Sequence, residues 1–432
     1  MELSRFYHAV KVEEDKFAIF NSLVMDTFFV TQKEKNDIES CSYNADELFK
    51  AGIYVDNSQK DVNLLEEVRS IYAEQNKKVS VLYIITSTSC NLACRYCFEE
   101  KSKFNNQQEV HLNVETLYKF LTEYIIYAEK NDIKKCKMIF YGGEPTINWS
   151  IIEETINFSK THKDFFEFTI VSNGTLLNIE RIKFLVDNNV SIAISIDGPK
   201  TLNDKNRIFR SSKESVYDKI MKTLDLLKKE QANYNLSITI SNELLNMQTE
   251  FFKWVNDIGT KNLFFNIMHF TYFEKKEVWK MYYEKASDFL FKAFQMFYDK
   301  NIYEGRILKK VTPLVNREFL FADCAAVGLN QLTLKPNGDV CICHGYVKTN
   351  KFVIGNIYSE SIQEIIFKKE NNLWCKLSPI FNNKCLECES LFICGGGCPV
   401  QSEALFGSVE DIDQPYCIYN KLALKWLLKR FN

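Results

Sequence analysis

Three cysteines near residue 90 have a spacing that suits a metal cluster. Cys90, Cys94 and Cys97 lie within eight residues, in the sequence Cys-Asn-Leu-Ala-Cys-Arg-Tyr-Cys. Three thiolates at this spacing can each bind one iron of a 4Fe-4S cubane, which leaves the fourth iron without a protein ligand. An open metal position is what catalysis needs, because a closed four-ligand site has no place for substrate. A zinc site or three unrelated thiols are the alternatives, and spacing alone leaves both open.

A second set of cysteines crowds the C-terminal part of the chain. It contains Cys324, Cys343, Cys385, Cys388, Cys394, Cys398 and Cys417. Clustered thiols in an intracellular protein indicate metal or redox chemistry, because disulfides are rare there. A pair of zinc ribbons is the alternative for this segment. Of the four remaining cysteines, we expect Cys41, Cys136 and Cys375 to be small buried apolar side chains.

The composition weighs against some classes of function. The 432 residues carry 54 basic and 56 acidic side chains, a net charge of -2. This balance gives no support for a nucleic-acid partner, which usually leaves a basic footprint. The chain does not open with a basic segment followed by an apolar run, and it has no stretch of about eighteen uncharged apolar residues. We therefore expect a cytoplasmic protein with neither a nucleic-acid nor a membrane partner.

Three regions of the chain must position the cysteines. Residues 1–78 predict a small α+β unit of three short strands followed by helical pieces, at Tyr7–Val12, Lys16–Phe20, Thr27–Val30, Ala45–Ala51 and Leu64–Ala73. Residues 79–300 alternate between strand and helix patterns. Residues 301–432 are rich in cysteine; long helices should disappear past about residue 301, and metal should stabilise the fold.

The middle region predicts a parallel sheet. Its candidate strands are Val81–Ile85, Met138–Tyr141, Phe166–Val171, Ile192–Ile196, Leu236–Ile240 and Leu263–Ile267. Segments of helical period lie between them, at Leu117–Ala128, Glu180–Asn188, Val216–Lys229 and Glu250–Ile258. Helical crossovers return each strand in the same direction, so the pattern indicates an α/β fold. An open barrel and a doubly wound sheet both fit.

Motifs at the ends of these strands carry a family resemblance. The sequence CNLACRYCFEE resembles the CxxxCxxC signature of radical S-adenosylmethionine (SAM) enzymes. Further motifs follow in the order of that family: Tyr141-Gly142-Gly143-Glu144-Pro145, Val171-Ser172-Asn173-Gly174-Thr175 and Ser195-Ile196-Asp197-Gly198-Pro199, each after a predicted strand. The resemblance implies a partial (β/α)6 barrel of the TIM type, with the cluster at the C-terminal end of its first strand.

The same resemblance implies how SAM would be bound. The residues expected to contact it are Tyr96, Gly142, Gly143, Glu144, Ser172, Asn173, Ser195, Asp197 and Arg207. Glu144 would help to hold the amino group of SAM, and Arg207 would close over its carboxylate. The family usually has His-Asp before this Arg, whereas Asn203-Asp204 stands here. Reductive cleavage of SAM would give a 5′-deoxyadenosyl radical that abstracts hydrogen, in an anaerobic or microaerobic setting.

The second cysteine set resembles the SPASM extension, a domain with two auxiliary 4Fe-4S clusters. The resemblance implies that Cys385, Cys388, Cys394 and Cys417 ligate one cluster, and that Cys324, Cys343 and Cys398 ligate the other. The fourth iron of the latter would be open, carry a labile ligand, or bind Cys341. Pro336-Asn337-Gly338-Asp339-Val340 resembles the hairpin that approaches this cluster.

Two subclasses of enzyme with this extension are alternative interpretations of the function. Anaerobic sulfatase-maturing enzymes have an Asp after the cysteine that matches Cys343, whereas His344 stands here, and they generally begin almost at the cluster motif. Maturases of ribosomally made peptides often begin with a leader-recognition domain, a three-stranded sheet followed by a winged-helix-like unit, which residues 1–78 resemble. A packing extension of the barrel is the plainer interpretation of that region.

The resemblance to peptide maturases implies two partners and a reaction. The partners are a precursor peptide with its leader and a flavodoxin- or ferredoxin-type electron donor, and the reaction forms thioether or carbon–carbon cross-links. His344, Cys341 and Tyr141 are candidates for contact with substrate. A non-catalytic iron–sulfur or zinc protein remains an alternative from a different class.

Overall fold

A computed structural model describes residues 1–43, 46–75, 78–97, 109–162, 164–269, 275–349 and 351–431. The N-terminal region contains, in chain order, β1 (Glu2–Leu3), β2 (Tyr7–Glu13), β3 (Lys16–Asn21), β4 (Thr27–Thr31), α1 (Gln32–Glu39), α2 (Asp46–Lys50), β5 (Tyr54–Val55) and α3 (Gln59–Gln75). These elements follow the predicted order. Ala45, which the sequence pattern places at the start of a helix, and Phe98–Glu100 of the cluster motif lie outside the described residues.

Strands β2, β3 and β4 form an antiparallel sheet with β3 in the middle. Alternation along β3 turns Ile19 toward one apolar cluster, with α1 and α2, and Phe20 toward another. The second cluster includes Phe392 and Leu424 of the Cys-rich region, and the rings of Phe20 and Phe392 meet edge to face at 5.6 Å. The sheet is therefore packed between its own helices and the C-terminal part of the chain.

The middle region forms the predicted parallel sheet. Its elements are β6 (Val81–Ser87), α4 (Val114–Lys130), β7 (Cys136–Gly142), α5 (Trp149–Ser159), β8 (Phe166–Ser172), α6 (Ile179–Asp187), β9 (Ser191–Ser195), α7 (Lys200–Asn206), α8 (Val216–Lys229), β10 (Tyr234–Ile240), α9 (Asn242–Asn246), α10 (Gln248–Ile258), β11 (Asn262–Ile267), α11 (Lys276–Tyr298), β12 (Tyr303–Glu304) and α12 (Gly305–Asn316). Neighbouring strands from β6 to β12 are parallel. Their carboxyl ends therefore meet at one edge, where the motifs lie.

The C-terminal region continues the same sheet. It contains β13 (Gln331–Leu334), β14 (Asp339–Cys341), β15 (Val353–Asn356), α13 (Ile362–Glu370), α14 (Asn383–Leu386), α15 (Leu391–Cys394), α16 (Pro399–Phe406) and α17 (Gln414–Leu428). Strand β13 pairs in parallel with β6, and β14 returns antiparallel through the predicted hairpin, where Gly338 has φ of 84°. The strand order is β12-β11-β10-β9-β8-β7-β6-β13-β14-β15.

The expectation that long helices disappear past residue 301 is wrong. Helix α12 has 12 residues and α17 has 15. Their buried faces contain Lys310 and Asn420, so the apolar period by which a helix is identified from sequence is interrupted.

Helix α11 has 23 residues and packs mainly against α17. One of its faces is buried, whereas Val278, Met281 and Tyr298 are exposed among its charged residues. Among the described residues, the structure contains no helix whose length and hydrophobicity together would let it span a bilayer.

Candidate functional site

The loop that carries Cys90, Cys94 and Cys97 follows β6 directly and is hydrogen-bonded to the last residue of α7 and to the segment after it. The amide of Ala93 donates to the carbonyl of Ile208 at 2.7 Å, and the amide of Arg95 donates to Asn206 at 2.9 Å. These bonds fix the backbone of the loop at the carboxyl end of the sheet. The three thiols are partly buried, and none of the fourteen cysteines forms a disulfide.

The chemistry of these thiols fits a metal cluster. Burial raises the pKa of Cys90 to about 12 and that of Cys94 to about 11. The charge of Cys97 adds to both shifts. Buried thiols are metal ligands only as thiolates, and iron binding would supply the positive charge that deprotonation needs.

Gly142 and Gly143 allow the motif Tyr141–Pro145 to approach the cysteine loop. The amide of Gly143 donates to the carbonyl of Ser87 at 3.0 Å, and that of Glu144 to Ser89 at 2.8 Å. A Cβ atom on Gly142 would lie 2.2 Å from the oxygen of Ser87, and one on Gly143 would lie 2.3 Å from that of Ser89. Gly142 also has φ of 138°, which residues with a side chain rarely adopt. Only glycine fits at both positions.

Glu144 is buried where three strand ends meet. One carboxylate oxygen accepts from the Ser172 hydroxyl at 2.8 Å and from the amide and hydroxyl of Thr146; the other accepts from the amide of Asn173 at 2.7 Å. Burial raises the pKa of Glu144, and these donors oppose the rise. The second oxygen accepts only one of these hydrogen bonds, and a carboxylate oxygen can accept at least two, so it keeps an acceptor site for a ligand.

Asp197 joins the cysteine loop to Arg207. The hydroxyl of Tyr96 donates to the Asp197 carboxylate, whose Oδ1 also pairs with Nη2 of Arg207 at 3.0 Å. Asn203, which stands where the family has His, accepts from the amide of Asp197 at 3.2 Å and so fixes this turn. Among the described residues Nε of Arg207 is buried without a hydrogen-bond partner. That orphaned donor fits a ligand carboxylate such as that of SAM.

The remaining SAM candidates lie on the same edge. Asn173 donates from its side-chain amide to Asn91 at 2.9 Å, which links the third motif to the cysteine loop. Ser195 is half-buried at the last position of β9. Sequence reasoning missed Asn91, although its place between Cys90 and Cys94 could have indicated a role in positioning.

The C-terminal thiols fall into two groups. Burial raises the pKa of Cys394, and the charges of Cys417, Cys388 and Cys385 add to the shift. Burial likewise raises the pKa of Cys343, where Cys324 and Cys398 are the next contributors. The assignment of these thiols to two clusters stays a prediction.

A cavity of about 260 Å³ lies beside the first group. Three of the four cysteines in that group, Cys385, Cys394 and Cys417, line the cavity.

Cys341 is fully buried in β14, where Lys335 and Asp339 are the charged groups that most affect its pKa. Cys136 is fully buried, as expected, whereas Cys41 and Cys375 are only partly buried.

Tyr83, Tyr141 and His344 form an aromatic cluster. It lies between the residues expected to bind SAM and the thiols of Cys324, Cys343 and Cys398. The ring of His344 stacks on Tyr83 with centroids 4.2 Å apart, and its edge meets Tyr141 at 4.9 Å. Burial lowers the pKa of His344 to about 4, and the charge of His269 adds to this effect. Its Nδ1 atom is buried and has no hydrogen-bond partner in the described chain. The structure thus brings together two of the three candidate substrate-side residues.

Tyr83 is a member of this cluster that sequence reasoning missed. It lies on β6 beside Cys324 and Cys343, whose charges add to the effect of burial in raising its pKa. The alternation of side chains along β6 could have indicated Tyr83. Leu82 and Ile84 are fully buried on one face of the strand, and Tyr83 points to the opposite face.

Two protein families match the chain in the regions just described. Residues 84–281 match the radical SAM superfamily, and residues 324–389 match the SPASM iron–sulfur cluster-binding domain. The first match includes the cysteine loop and all strand-end motifs. The second includes Cys324, Cys343, Cys385 and Cys388.

Known enzymes are among the proteins with similar sequences. The radical SAM cyclopropyl synthase TigE of Paramaledivibacter caminithermalis is 22% identical, over 99% of this chain and 96% of its own. A cysteine-type anaerobic sulfatase-maturating enzyme of Clostridium perfringens is 25% identical, over 74% of this chain and 88% of its own.

Two solved structures share the fold. Native anSMEcpe with bound AdoMet superposes with a TM-score of 0.69 at 21% identity, covering 81% of this chain and 97% of its own. Streptococcus suis SuiB bound to precursor peptide SuiA gives a TM-score of 0.57 at 16% identity, covering 96% and 99%. With the cysteine loop, the strand-end motifs and both family matches in agreement, the chain is a radical SAM superfamily enzyme with an iron–sulfur SPASM domain.

Proposed function

We propose that this enzyme modifies a ribosomally made precursor peptide and forms a carbon–carbon or thioether cross-link in it. The observation that carries the proposal is the N-terminal sheet β2-β3-β4, which packs against the Cys-rich region. TigE aligns with 99% of this chain, whereas the sulfatase-maturating relative aligns with 74%. Closing a cyclopropane in a saturated side chain is also carbon–carbon bond formation with loss of two hydrogens.

The leader of the precursor would bind as a further strand on β4. This strand lies at one edge of its sheet, and Phe28, Phe29 and Val30 on it are each half-buried. Backbone hydrogen bonds would supply affinity, and pockets for alternate side chains would supply specificity. The structure of SuiB with its precursor peptide SuiA supports peptide binding by a protein of this fold.

SAM would be held by the strand-end residues described above. Arg207 has an unused buried donor for the carboxylate, and Glu144 has acceptor capacity for the amino group. Ser172, Asn173 and Ser195 supply polar groups on the same edge. When bound, the cluster and SAM would supply a 5′-deoxyadenosyl radical to take one hydrogen atom from the peptide. The second hydrogen lost on cross-linking would leave as a proton, and its electron would pass to an iron–sulfur cluster.

Three 4Fe-4S clusters would be present. Cys90, Cys94 and Cys97 would hold the one that binds SAM. Cys385, Cys388, Cys394 and Cys417 would hold one auxiliary cluster, and Cys324, Cys343 and Cys398 the other. The grouping of the thiols by their mutual effects on pKa supports this assignment.

The peptide side chain would approach through the aromatic cluster of Tyr83, Tyr141 and His344. This cluster stands between the SAM candidates and the Cys324 group, and Nδ1 of His344 offers a buried polar atom to a substrate. Its burial lowers the pKa to about 4, so His344 would be neutral near pH 7 and able to accept a hydrogen bond.

The electron donor would be a protein of the flavodoxin or ferredoxin type, because SAM cleavage needs one electron at low potential. We place the enzyme in the cytoplasm, where thiols stay reduced.

Formylglycine formation on a sulfatase is the second candidate. The sequence similarity to sulfatase-maturating enzymes and the TM-score of 0.69 with anSMEcpe favour it. His344 would then have to act in place of the Asp that those enzymes are expected to use as base.

Anaerobic co-expression with short peptides encoded beside the gene tests the proposal. Cross-linking is expected to lower the peptide mass by two hydrogens per site, and the modified residues follow from fragmentation. A sulfatase peptide supplied in parallel serves as the competitor. Formylglycine on that peptide, with no change in the neighbouring precursors, would replace the proposal by the second candidate.

Leader binding on β4 has a separate test. Backbone N-methylation at alternate positions of the leader removes amide donors without altering the enzyme. Strand addition predicts that methylation weakens binding at every second residue only, because alternate amides face the sheet. Uniform sensitivity along the leader, or none, contradicts the edge-strand assignment.

A further inference from the structure

A fully buried lysine lies close to both groups of C-terminal cysteines. Lys310 on α12 has no exposed side-chain surface. Its Nζ donates to Oδ1 of Asp323 and to the carbonyl oxygens of Ile393 and Cys394, each at 3.0 Å. An ammonium has three N–H donors and a neutral amine has two, so three acceptors match the charged form.

The surroundings of Lys310 stabilise that charge. The rings of Tyr416 and Tyr419 face Nζ at 5.2 and 5.9 Å, and an aromatic face attracts a cation. Burial lowers the pKa of Lys310, whereas the Asp323 carboxylate opposes the shift. A buried charge is retained when it is paired and fully hydrogen-bonded, as this one is.

Lys310 contacts segments that belong to both cysteine groups. Asp323 immediately precedes Cys324, and its amide donates to the carbonyl of Gly395 at 2.7 Å. Gly395 immediately follows Cys394, whose own carbonyl accepts from Lys310. The ammonium thus lies where the two ligand segments are joined.

Positive charge is in excess around Asp323. Arg306 and Lys309 lie on the same helix as Lys310, and their nitrogens are 3.7 and 3.4 Å from the carboxylate. Spacings of three and four residues bring all three cations to one face of α12. Three cations therefore share one carboxylate.

A thiolate-ligated 4Fe-4S cluster is anionic and gains a further negative charge when it takes up one electron. Nearby positive charge stabilises the reduced form more than the oxidised form, and net charge and hydrogen bonding are known determinants of cluster potential. We propose that Lys310 is a positioning residue for both auxiliary clusters, whose buried ammonium joins their ligand segments and raises their reduction potentials. The inference rests on the two auxiliary clusters of the proposed function.

The test measures potentials in the full chain after removal of the SAM cluster. In a C90A/C94A/C97A background the remaining iron–sulfur signals belong to the auxiliary sites. Reductive titration with electron paramagnetic resonance compares this parent with K310M, K310R and D323N. At the midpoint potential of the parent, K310M should show about a tenfold lower ratio of reduced to oxidised cluster, equivalent to about 59 mV for one electron.

The charge variants separate an electrostatic role from a structural one. K310R keeps the cation and should stay near the parent, whereas D323N removes a negative charge and should shift the potential upward. K369M is the matched control, because Lys369 is equally buried in the same region but donates to the carbonyl of Leu329. If K310M does not fold, K309M should shift in the same direction, since Lys309 pairs with the same carboxylate.

Unchanged potentials with full iron content, or shifts of the same sign for K310M and D323N, would overturn the role of Lys310 alone. A parent that binds no iron at the C-terminal thiols would overturn the two-cluster proposal as well, so the two failures are distinguishable by iron analysis.

Discussion

The hydroxyl of Tyr96 donates to the carboxylate of Asp197, with oxygen–oxygen distances of 2.7 and 2.6 Å, across 101 residues of sequence. Tyr96 lies within the cysteine loop, and Asp197 follows the fourth strand of the parallel sheet. Arg207 binds the same carboxylate at 3.0 Å. A change in any of these three side chains therefore acts on the cysteine loop and on the residues proposed to bind SAM together.

Replacing Tyr96 by Phe should weaken SAM binding about tenfold, because a hydrogen bond to a charged group contributes roughly 1.5 kcal/mol or more. Equilibrium dialysis of the reconstituted enzyme measures the change. Y118F is the control, since Tyr118 donates to Glu154 on the exposed surface. Equal affinity of Y96F and wild type would show that the phenol has no part in arranging the site.

Replacing Gly143 by Ala should abolish SAM cleavage, with a loss of about a hundredfold or more in 5′-deoxyadenosine formation. The new Cβ would overlap the Ser89 oxygen and displace the cysteine loop. G259A is the matched control, because no atom lies within 4 Å of a Cβ there, although its φ of 67° costs stability. Wild-type turnover by G143A would mean that the two loops are not held as close as the structure has them.

Replacing Cys417 by Ala should reduce the iron content by up to about four of about twelve atoms, since each cubane holds four irons. Iron analysis and Mössbauer spectroscopy measure the loss. C375A should keep the full content, because Cys375 packs against the apolar core and belongs to neither thiol group. Equal iron in both variants contradicts the ligand assignment.

Replacing His344 by Phe should keep the ring stacked on Tyr83 but remove the buried Nδ1 atom. Peptide modification should fall at least about tenfold, while SAM cleavage without peptide continues. Mass spectrometry and 5′-deoxyadenosine assay separate the two activities. H162F is the control, because His162 also contacts an aromatic ring, that of Phe158, but outside the site. Loss of both activities would indicate damage to the fold instead.

Replacing Lys369 by Met should change how stability depends on pH. Burial lowers the pKa of Lys369 from 10.5 to about 7, so protonation costs the folded state. The favourable contribution of the neutral amine is complete above pH 10.5 and is lost as the pH falls through about 7, at a cost of at most about 5 kcal/mol.

The melting temperature of K369M relative to wild type should therefore rise as the pH is lowered from 9.5 to 7. Anaerobic thermal unfolding measures the difference. K134M, at a mostly exposed lysine, should show no such trend. A constant difference between K369M and wild type would show that Lys369 is not desolvated in the folded protein.

The parallel sheet was predictable because its strands are continuous apolar runs buried by helices. The run Met138–Tyr141, for example, lies inside β7 (Cys136–Gly142). The helices of the Cys-rich region were not predictable in the same way. Lys310 is fully buried in α12, and its partners Asp323 and Cys394 are distant in sequence, so no local pattern indicates the contact.

The residues of the candidate site differ in the same way in how far the sequence predicts them. Glycines and cysteines at strand ends were identifiable because backbone approach and metal ligation permit few other residues. The pairing of His344 with Tyr83 depends on β13 lying beside β6, a long-range contact that spacing does not encode. The family matches decide in favour of an enzyme over the non-catalytic iron–sulfur or zinc alternative.

Strand β13 pairs with β6 from Gln331↔Val81 to Leu334↔Ile84. The two strands therefore share one ladder of backbone hydrogen bonds. Strand β6 ends at the cysteine loop, and β13 continues through the hairpin to Cys343. Opening a hinge between these two groups of cysteines would break this ladder and expose apolar strand faces. The separation of these two groups of cysteines is accordingly a fixed length of the molecule, and under the proposed function the reactive carbon of the peptide must fit that length.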